Sequence, residues 1–185
     1  MLKSLFYGER IYLCARRPED ARIMAKWTLD SEYMREVDSD YMRPKSEEDI
    51  IEDYKQYGTG TNTVDFRIRT LQGDQLIGFI SIHSIEWNNQ AGILSIGIGE
   101  PDFRSKGYGT EAIRLMLKYA FHELNLERVG LDVIASNLRA IHVYEKCGFV
   151  KEGTLRRAVS RDGKRIDCLV MGILKSEWLD KNSLP

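Results

Sequence analysis

The spacing of apolar and polar residues changes period along this chain. Residues 10–16, RIYLCAR, alternate and predict a first strand. Pro18 then opens PEDARIMAKWTLD, with acids in its first turn and Ile23, Met24 and Trp27 at helical spacing, so 18–30 is predicted as a helix. Residues 31–45 hold neither period and read as an irregular, acidic segment. In SEEDIIEDYKQYG (46–58), Ser46 precedes a group of acids and Gly58 closes the run, as caps of a second helix would. Three strands follow in pattern, 63–71, 75–85 and 91–99, joined by turns at 72–74 and 88–90, which predicts an antiparallel meander.

Beyond residue 100 the pattern alternates between helix and strand. A helix over 107–124 carries Ile113, Met116, Leu117, Ala120, Phe121 and Leu124 on one side. A strand rich in β-branched residues is predicted at 128–135, and a short helix at 137–147, closed by Gly148. Two last strands, 149–159 and 164–174, flank the turn RDG at 161–163. No internal repeat or linker interrupts the chain. The expectation is one α/β domain of the α+β kind over 1–185, with a central, mixed, mostly antiparallel twisted sheet flanked by helices.

Composition narrows the function classes. The chain has 185 residues, 43% hydrophobic and 30% charged, with a net charge of −1, so nothing global favours nucleic acid. No window approaches a membrane span, and MLKSLFYGER is too short in apolar residues for a secretory signal. Three scattered cysteines, Cys14, Cys147 and Cys168, argue against a disulfide framework or a CxxC metal site. A cytoplasmic protein with reduced thiols and no metal is expected.

The chemistry concentrates in two stretches. GEPDFRSKGYGT (99–110) sits where a strand becomes a helix. Gly107 and Gly109 permit close approach to the backbone, the helix start offers unpaired N–H groups, and Arg104 and Lys106 add charge, which together make a cradle for phosphate. An ordinary turn with two surface cations is the plain alternative. Walker A fails because the lysine precedes the glycine, and GxGxxG fails at Asp102. NLRAIHVYEKCGF (137–149) sets Asn137, Ala140, Tyr144 and Cys147 along one helix face, with Asn137 and Tyr144 two turns apart. Alone, Asn137 would be a cap and Tyr144 a packing residue.

Together the two stretches resemble the GNAT superfamily of N-acetyltransferases. PDFRSKGYGTEAI is similar to its (Q/R)xxGxG/A acetyl-CoA pyrophosphate loop, and NLRAIHVYEKCGF to its downstream N, A and YEK.GF segment. RIYLCARRPEDARIMAKW and the closing strand pair resemble the RimJ/RimL-like branch, which includes ribosomal-protein N-terminal and polyamine acetyltransferases. The resemblance covers nearly the whole chain, with one departure: family members often carry a bulky apolar residue where this chain has Gly99.

The resemblance implies acetyl-CoA as donor, with its phosphates on the backbone of Arg104, Ser105, Lys106, Gly107, Tyr108, Gly109 and Thr110. It implies that strands 4 and 5 splay apart and that the pantetheine arm lies near Gly97, Ile98 and Gly99. An N–H of Ile98 or Gly99 would polarise the thioester carbonyl. A neutral amine would attack directly, Tyr144 would protonate the leaving thiolate, and Asn137 would bind the cofactor or hold its helix. Cys147, with no triad in view, reads as a small buried hydrophobe. The base is open among Glu32, Glu36, Asp38, Glu86 and Glu100, while His83, His122 and His142 show no partner pattern and read as structural or exposed.

For the acceptor, residues 31–53 carry nine acids against three bases, an acidic wall suited to a cationic amine or to plain solvation. Glu32, Glu36 and Asp38 are its candidates. Residues 151–165 carry six bases against two acids, available to CoA phosphates, to a nucleic acid or to solvent. Three classes follow: an N-acetyltransferase of a polyamine-like cation or a protein N-terminus, a non-catalytic acetyl-CoA sensor, and a ribosome- or nucleic-acid-associated protein. Tyr144 speaks against the second and the net charge against the third. A homodimer is compatible with each.

Overall fold

A computed structural model describes residues 4–57 and 60–182. Seven strands form one sheet: β1 (Ile11–Cys14), β2 (Val64–Thr70), β3 (Leu76–Glu86), β4 (Ala91–Ile98), β5 (Arg128–Ile134), β6 (Val150–Arg161) and β7 (Lys164–Leu174). Their order is β1-β2-β3-β4-β5-β7-β6, and every neighbouring pair is antiparallel except β4 and β5. Hairpins can only make antiparallel neighbours, and the parallel pair needs a crossover, which is α4 (Tyr108–His122). The mixed, mostly antiparallel sheet read from the pattern is therefore present.

The feature that positions the site is the length of the parallel pairing. β4 pairs with β5 only at Ala91, Gly92 and Ile93, opposite Arg128, Val129 and Gly130. Beyond Ile93 the two strands diverge, and the lower half of β4 has no neighbour on that side. This is the expected splay.

The main core lies between the sheet and α4. Ile113, Met116, Leu117, Ala120 and Phe121 are fully buried against Ile11, Ile68, Ile80, Ile82 and Val129. The helix α5 (Leu138–Cys147) adds Tyr144 and Cys147 to the same cluster. A smaller cluster of Trp27, Tyr33 and Leu76 holds α1 (Asp20–Trp27) and α2 (Ser31–Val37) to the sheet.

Several boundaries differ from the pattern. Residues 31–37, expected to be irregular, form α2: Asp30 caps it by accepting the Tyr33 N–H at 3.1 Å, and Tyr33, Met34 and Val37 face inward. The first helix is shorter than 18–30, since Asp30 belongs to the next cap. In α3 (Glu47–Tyr57), Ser46 and Asp49 cap reciprocally, each side chain accepting the other's N–H. Gly58, expected to end this helix, lies outside the described residues. A last helix, α6 (Lys175–Asn182), was not in the pattern; Trp178 anchors it on Phe121 and His122 of α4. The β6–β7 turn places Asp162 and Gly163 at φ 50° and 72°, the left-handed pair of a tight hairpin.

Candidate active site

The divergence of β4 and β5 opens a cleft of about 540 Å³. Its walls include Ile96, Gly97 and Ile98 of β4, Ser105, Gly107, Gly109 and Thr110 of the following loop and helix, Asp132 to Ile134 of β5, and Asn137, Ala140 and Tyr144 at α5. The two motifs, distant in sequence, meet here. Gly107 takes φ 86° as the N-cap of α4, a conformation that needs glycine, and its carbonyl accepts the Glu111 N–H at 3.1 Å. The N–H groups of Tyr108, Gly109 and Thr110 then form the open first turn, with no carbonyl inside the helix to receive them. Gly109 leaves room there, a Cβ at this position meeting only Ile98 at 3.7 Å.

The backbone of β4 decides which N–H groups are free. The Gly99 N–H bonds Ile77 O at 2.9 Å, and the Glu100 N–H reaches the same oxygen at 3.2 Å, a bulge that closes the strand. Gly99 is therefore already engaged. Ladder alternation turns the N–H groups of Ile96 and Ile98 the other way, into the splay. Of the two N–H groups expected to face the thioester carbonyl, Ile98 has the right direction and Gly99 does not.

Arg104 lines the cleft, and its side chain is engaged within the protein. Its guanidinium donates to the carbonyls of Ile98 (3.0 Å) and Gly99, pairs with Asp30 at 2.7 Å, and stacks on Tyr33 at 4.6 Å. It ties the end of β4 to α2, and the Arg104 hydrogen bond holds the Asp30 carboxyl below its usual range. Lys106 is exposed, and its carbonyl receives Arg10 at 2.9 Å. Tyr108 packs under Arg10 and against Phe103. The side chains of Lys106 and Tyr108 thus lie off the cleft, while Arg139, His142 and Lys146 of α5 line it.

Gly99 explains its own departure from the family pattern. A Cβ there would stand 2.0 Å from the Trp27 indole, whose N–H donates to Glu100 at 2.9 Å. A Cβ on Gly97 would meet the Tyr33 hydroxyl at 2.3 Å. Two aromatic rings from α1 and α2 occupy the space that the glycines vacate. The Tyr33 hydroxyl is buried without a hydrogen-bond partner among the described residues, and burial raises its phenol far above the usual range.

Tyr144 lines the cleft from α5, packed edge-on against Phe149, and burial pushes its phenol up to about 12. Asn137 is engaged at both ends, its oxygen capping Ala140 at 3.0 Å and its nitrogen donating to Glu36 O at 3.3 Å, so it holds α5 to α2. Cys147 donates to Thr110 O at 3.8 Å, and burial raises its thiol to about 11, which fits an inert packing residue.

A second cavity, about 830 Å³, adjoins the cleft, and the two share Asp38 and His83 in their walls. The acids of 31–53 do not form an unopposed wall around it. Asp38, Asp40, Asp53 and Asp65 line it with Arg16, Arg43, Lys45 and Arg67, and Lys45–Asp53 and Arg67–Asp65 are ion pairs. Asp49 is spent on capping. Glu32 is exposed and lies off both cavities, Glu36 pairs with Arg139 at the cleft rim, and Asp38 stands at the junction. Glu86 bonds Asn89 and Glu100 bonds Trp27, so neither faces the cleft.

His83, which the sequence reads as structural or exposed, meets Ser95, which the sequence does not single out. His83 Nε2 lies 3.0 Å from Ser95 Oγ, and Nδ1 lies 3.1 Å from Ser84 Oγ. The polar positions Ser81 and His83 alternate with Ile80 and Ile82, which marked a polar face but not that it fronts a cleft. His122 packs on Trp178 as a structural residue should.

The comparisons with known proteins agree with this geometry. The model of the acetyltransferase (GNAT) domain matches residues 10–150. The SPbeta prophage-derived uncharacterized N-acetyltransferase YokL of Bacillus subtilis (strain 168) is 29% identical over 96% of this chain and 97% of its own. The spermidine N(1)-acetyltransferase of Vibrio cholerae is 35% identical over 58% of this chain and 61% of its own. The crystal structure of spermidine N-acetyltransferase from Vibrio cholerae in complex with CoA and spermine superposes with a TM-score of 0.83 at 28% identity, covering 91% of this chain and 98% of that one. With the splayed strands, the glycine-bearing loop and the Asn137–Tyr144 helix in one cleft, this chain belongs to the GNAT acetyltransferases, in their RimJ/RimL-like branch, and is an acetyl-CoA-dependent N-acetyltransferase.

Proposed function

We propose that this enzyme acetylates a cationic, polyamine-like primary amine, which enters through the second cavity and meets the donor at the β4–β5 splay. The observation that carries this is the shared wall of the two cavities at Asp38 and His83. Asp38 and Asp40 have no ion pair among the described residues, and Tyr41 stands in the same wall, while the Tyr54 ring is already taken by Arg16 and Arg67. Carboxylates and ring faces are what an alkylammonium binds. A solved relative of similar fold was crystallised with CoA and spermine.

Acetyl-CoA supplies the activated acyl group. The chain's residues do the rest. The open first turn of α4 receives phosphate, aided by Lys146 on α5. The Ile96 and Ile98 N–H groups hold an extended arm as a neighbouring strand would, and Ile98 N–H stabilises negative charge on the carbonyl oxygen. The amine attacks directly, since Cys147 is buried and protonated. Tyr144 donates a proton to the departing thiolate. Its raised phenol stays protonated throughout the working range and is lost as a donor only as pH rises through about 12, so it contributes no limb to the pH profile below that.

Thiol release from acetyl-CoA, screened over spermidine, aminoglycosides and basic peptides, tests this. Spermidine-class amines should be best, and Tyr144→Phe should lower kcat about 10²–10⁴-fold with acetyl-CoA affinity kept. No release with any amine would favour a non-catalytic acetyl-CoA sensor. A neutral amine as best acceptor would remove the cationic assignment, and a basic peptide would move it to protein N-termini. Unchanged kcat in Tyr144→Phe would leave solvent as the proton source.

A further inference from the structure

An alkylamine arrives as its ammonium and must lose a proton before it can attack. We infer that His83, acting with Ser95, is the base that takes this proton at the neck between the two cavities. The inference rests on the acetyl-transfer reading above and gives a role to a histidine that the sequence reads as structural or exposed.

Placement comes first. His83 is half-buried on β3 and stands in the wall of both cavities. Its register partner on β4 is Ile93, and Ser95 lies two residues further along, on the same face as Gly97. Ser95 lines the donor cleft, two residues from the Gly97–Ile98 peptide where the acyl group is held. The Ser95 hydroxyl, 3.0 Å from His83 Nε2 and itself in the cleft wall, thus bridges imidazole and cleft.

Hydrogen bonding gives the relay a direction. With Nδ1–H donated to Ser84 Oγ, Nε2 accepts the Ser95 hydroxyl proton. The Ser95 oxygen then has a lone pair for an ammonium N–H, directly or through water. One proton passes from the ammonium to Ser95 Oγ as the serine proton passes to Nε2. The products are a neutral amine, an intact serine and an imidazolium, which returns its proton to solvent through the open cavity. No bond to the enzyme forms, and charge is conserved.

The other titratable and charged groups around His83 are less suited. Asp132 from β5 and Asp38 after α2 are exposed. Asp65 of β2 is bound to Arg67, and Glu36 at the rim is bound to Arg139. Cys168 of β7 is buried and its thiol is raised by that burial. Burial lowers the imidazole of His83 from its usual value, with Asp132 opposing, so it is neutral at neutral pH and able to accept.

The test uses the full chain with acetyl-CoA and spermidine as probe. kcat/KM for spermidine is measured from about pH 5.5 to about 9 in wild type, His83→Gln and Ser95→Ala. Wild type should show a limb that rises with pH through a value below the ordinary imidazole range. His83→Gln should lose that limb and fall about 10²-fold near neutrality, with the gap narrowing at high pH, where more amine is already neutral. Ser95→Ala should lose less, because water can replace one hydroxyl. Added imidazole should partly restore a His83→Gly variant. Acetyl-CoA affinity and melting temperature should not move.

Wild-type rates and an unchanged pH profile in His83→Gln would overturn the inference. So would a loss that is equal at all pH values and accompanied by weaker acetyl-CoA binding, which marks a packing role. Failure of the wild-type protein with every amine would count against acetyl transfer itself, and a second measurement then decides: NMR titration of the His83 ring in the CoA complex. Spermidine bound at the neck must lower the imidazole's proton affinity. A ring unaffected by saturating spermidine overturns the inference in either case.

Discussion

At the scale of single residues, the site is built on two absent side chains. Gly97 and Gly99 leave gaps in β4 that Tyr33 and Trp27 fill. The Tyr33 hydroxyl pays for this placement with a lost hydrogen bond. A buried hydroxyl without a partner costs about 1–3 kcal/mol, so Tyr33→Phe should stabilise the ligand-free protein. A gain of about 1 kcal/mol corresponds to about 2–4 °C in a chain of this size, readable by calorimetry. An unchanged or lower midpoint would show that the hydroxyl is satisfied in solution, most simply by water. The sequence displayed Gly97 and Gly99 plainly but not what fills them, because the fillers are more than sixty positions away. The same distance hid the partners of Arg104. Its position in the loop motif pointed to phosphate, and Asp30, in a segment without visible period, fixes the direction of its side chain.

At the scale of elements, legibility followed periodicity. The helix over 107–124, the strands of the meander and the helix over 137–147 were all legible, since each buries one face against a large core and keeps a clean period. The helix α2 was not, being seven residues long, although Asp30 followed by Tyr33, Met34 and Val37 held a usable signal. The splay between β4 and β5 was legible only through family resemblance, since register is not written in either strand alone. The β6–β7 hairpin shows an element with two tasks. Its tip reaches across to the loop after α2: Arg161 donates to the carbonyls of Asp38 (2.9 Å) and Asp40 (3.0 Å), and Arg35 pairs with Asp162 at 2.5 Å. The basic strip at 151–165 is thus partly spent on holding the wall of the second cavity. Arg161→Ala should loosen that wall while leaving the donor cleft intact. Hydrogen bonds from a charged donor contribute about 1.5–3 kcal/mol when well buried, and less at this half-exposed site, so the acceptor KM should rise about 3- to 10-fold with the acetyl-CoA KM unchanged. Equal changes in both constants would mean that the hairpin supports the whole sheet rather than the acceptor wall.

At the scale of the whole molecule, the sheet is two half-sheets joined at one end. Strands β1 to β4 form one half and β5, β7 and β6 the other, with three residue pairs between them. The helices α4 and α5 complete the join through the main core. A donor whose arm pairs with Ile96 and Ile98 while its phosphates sit on α4 would extend that join along the splay. Two consequences can be measured together. Saturation to about 100 times the dissociation constant should add about 2.7 kcal/mol, a rise of about 5–11 °C in melting temperature. The amides of Ile96 and Ile98 should exchange quickly in the free protein and slowly in the complex, while the Gly99 amide, already bonded to Ile77 O, should change little. Gly107→Val provides the control. At φ 86° a β-branched side chain is strained, and the atoms nearest its Cβ belong to Arg10 at 3.2 Å, so the substitution strains the start of α4 without touching Ile96 or Ile98 directly. In that variant both the thermal shift and the amide protection should diminish together. A thermal shift without protection at Ile96 and Ile98 would place the donor on the phosphate loop alone and remove the strand-like contact from the account of the site.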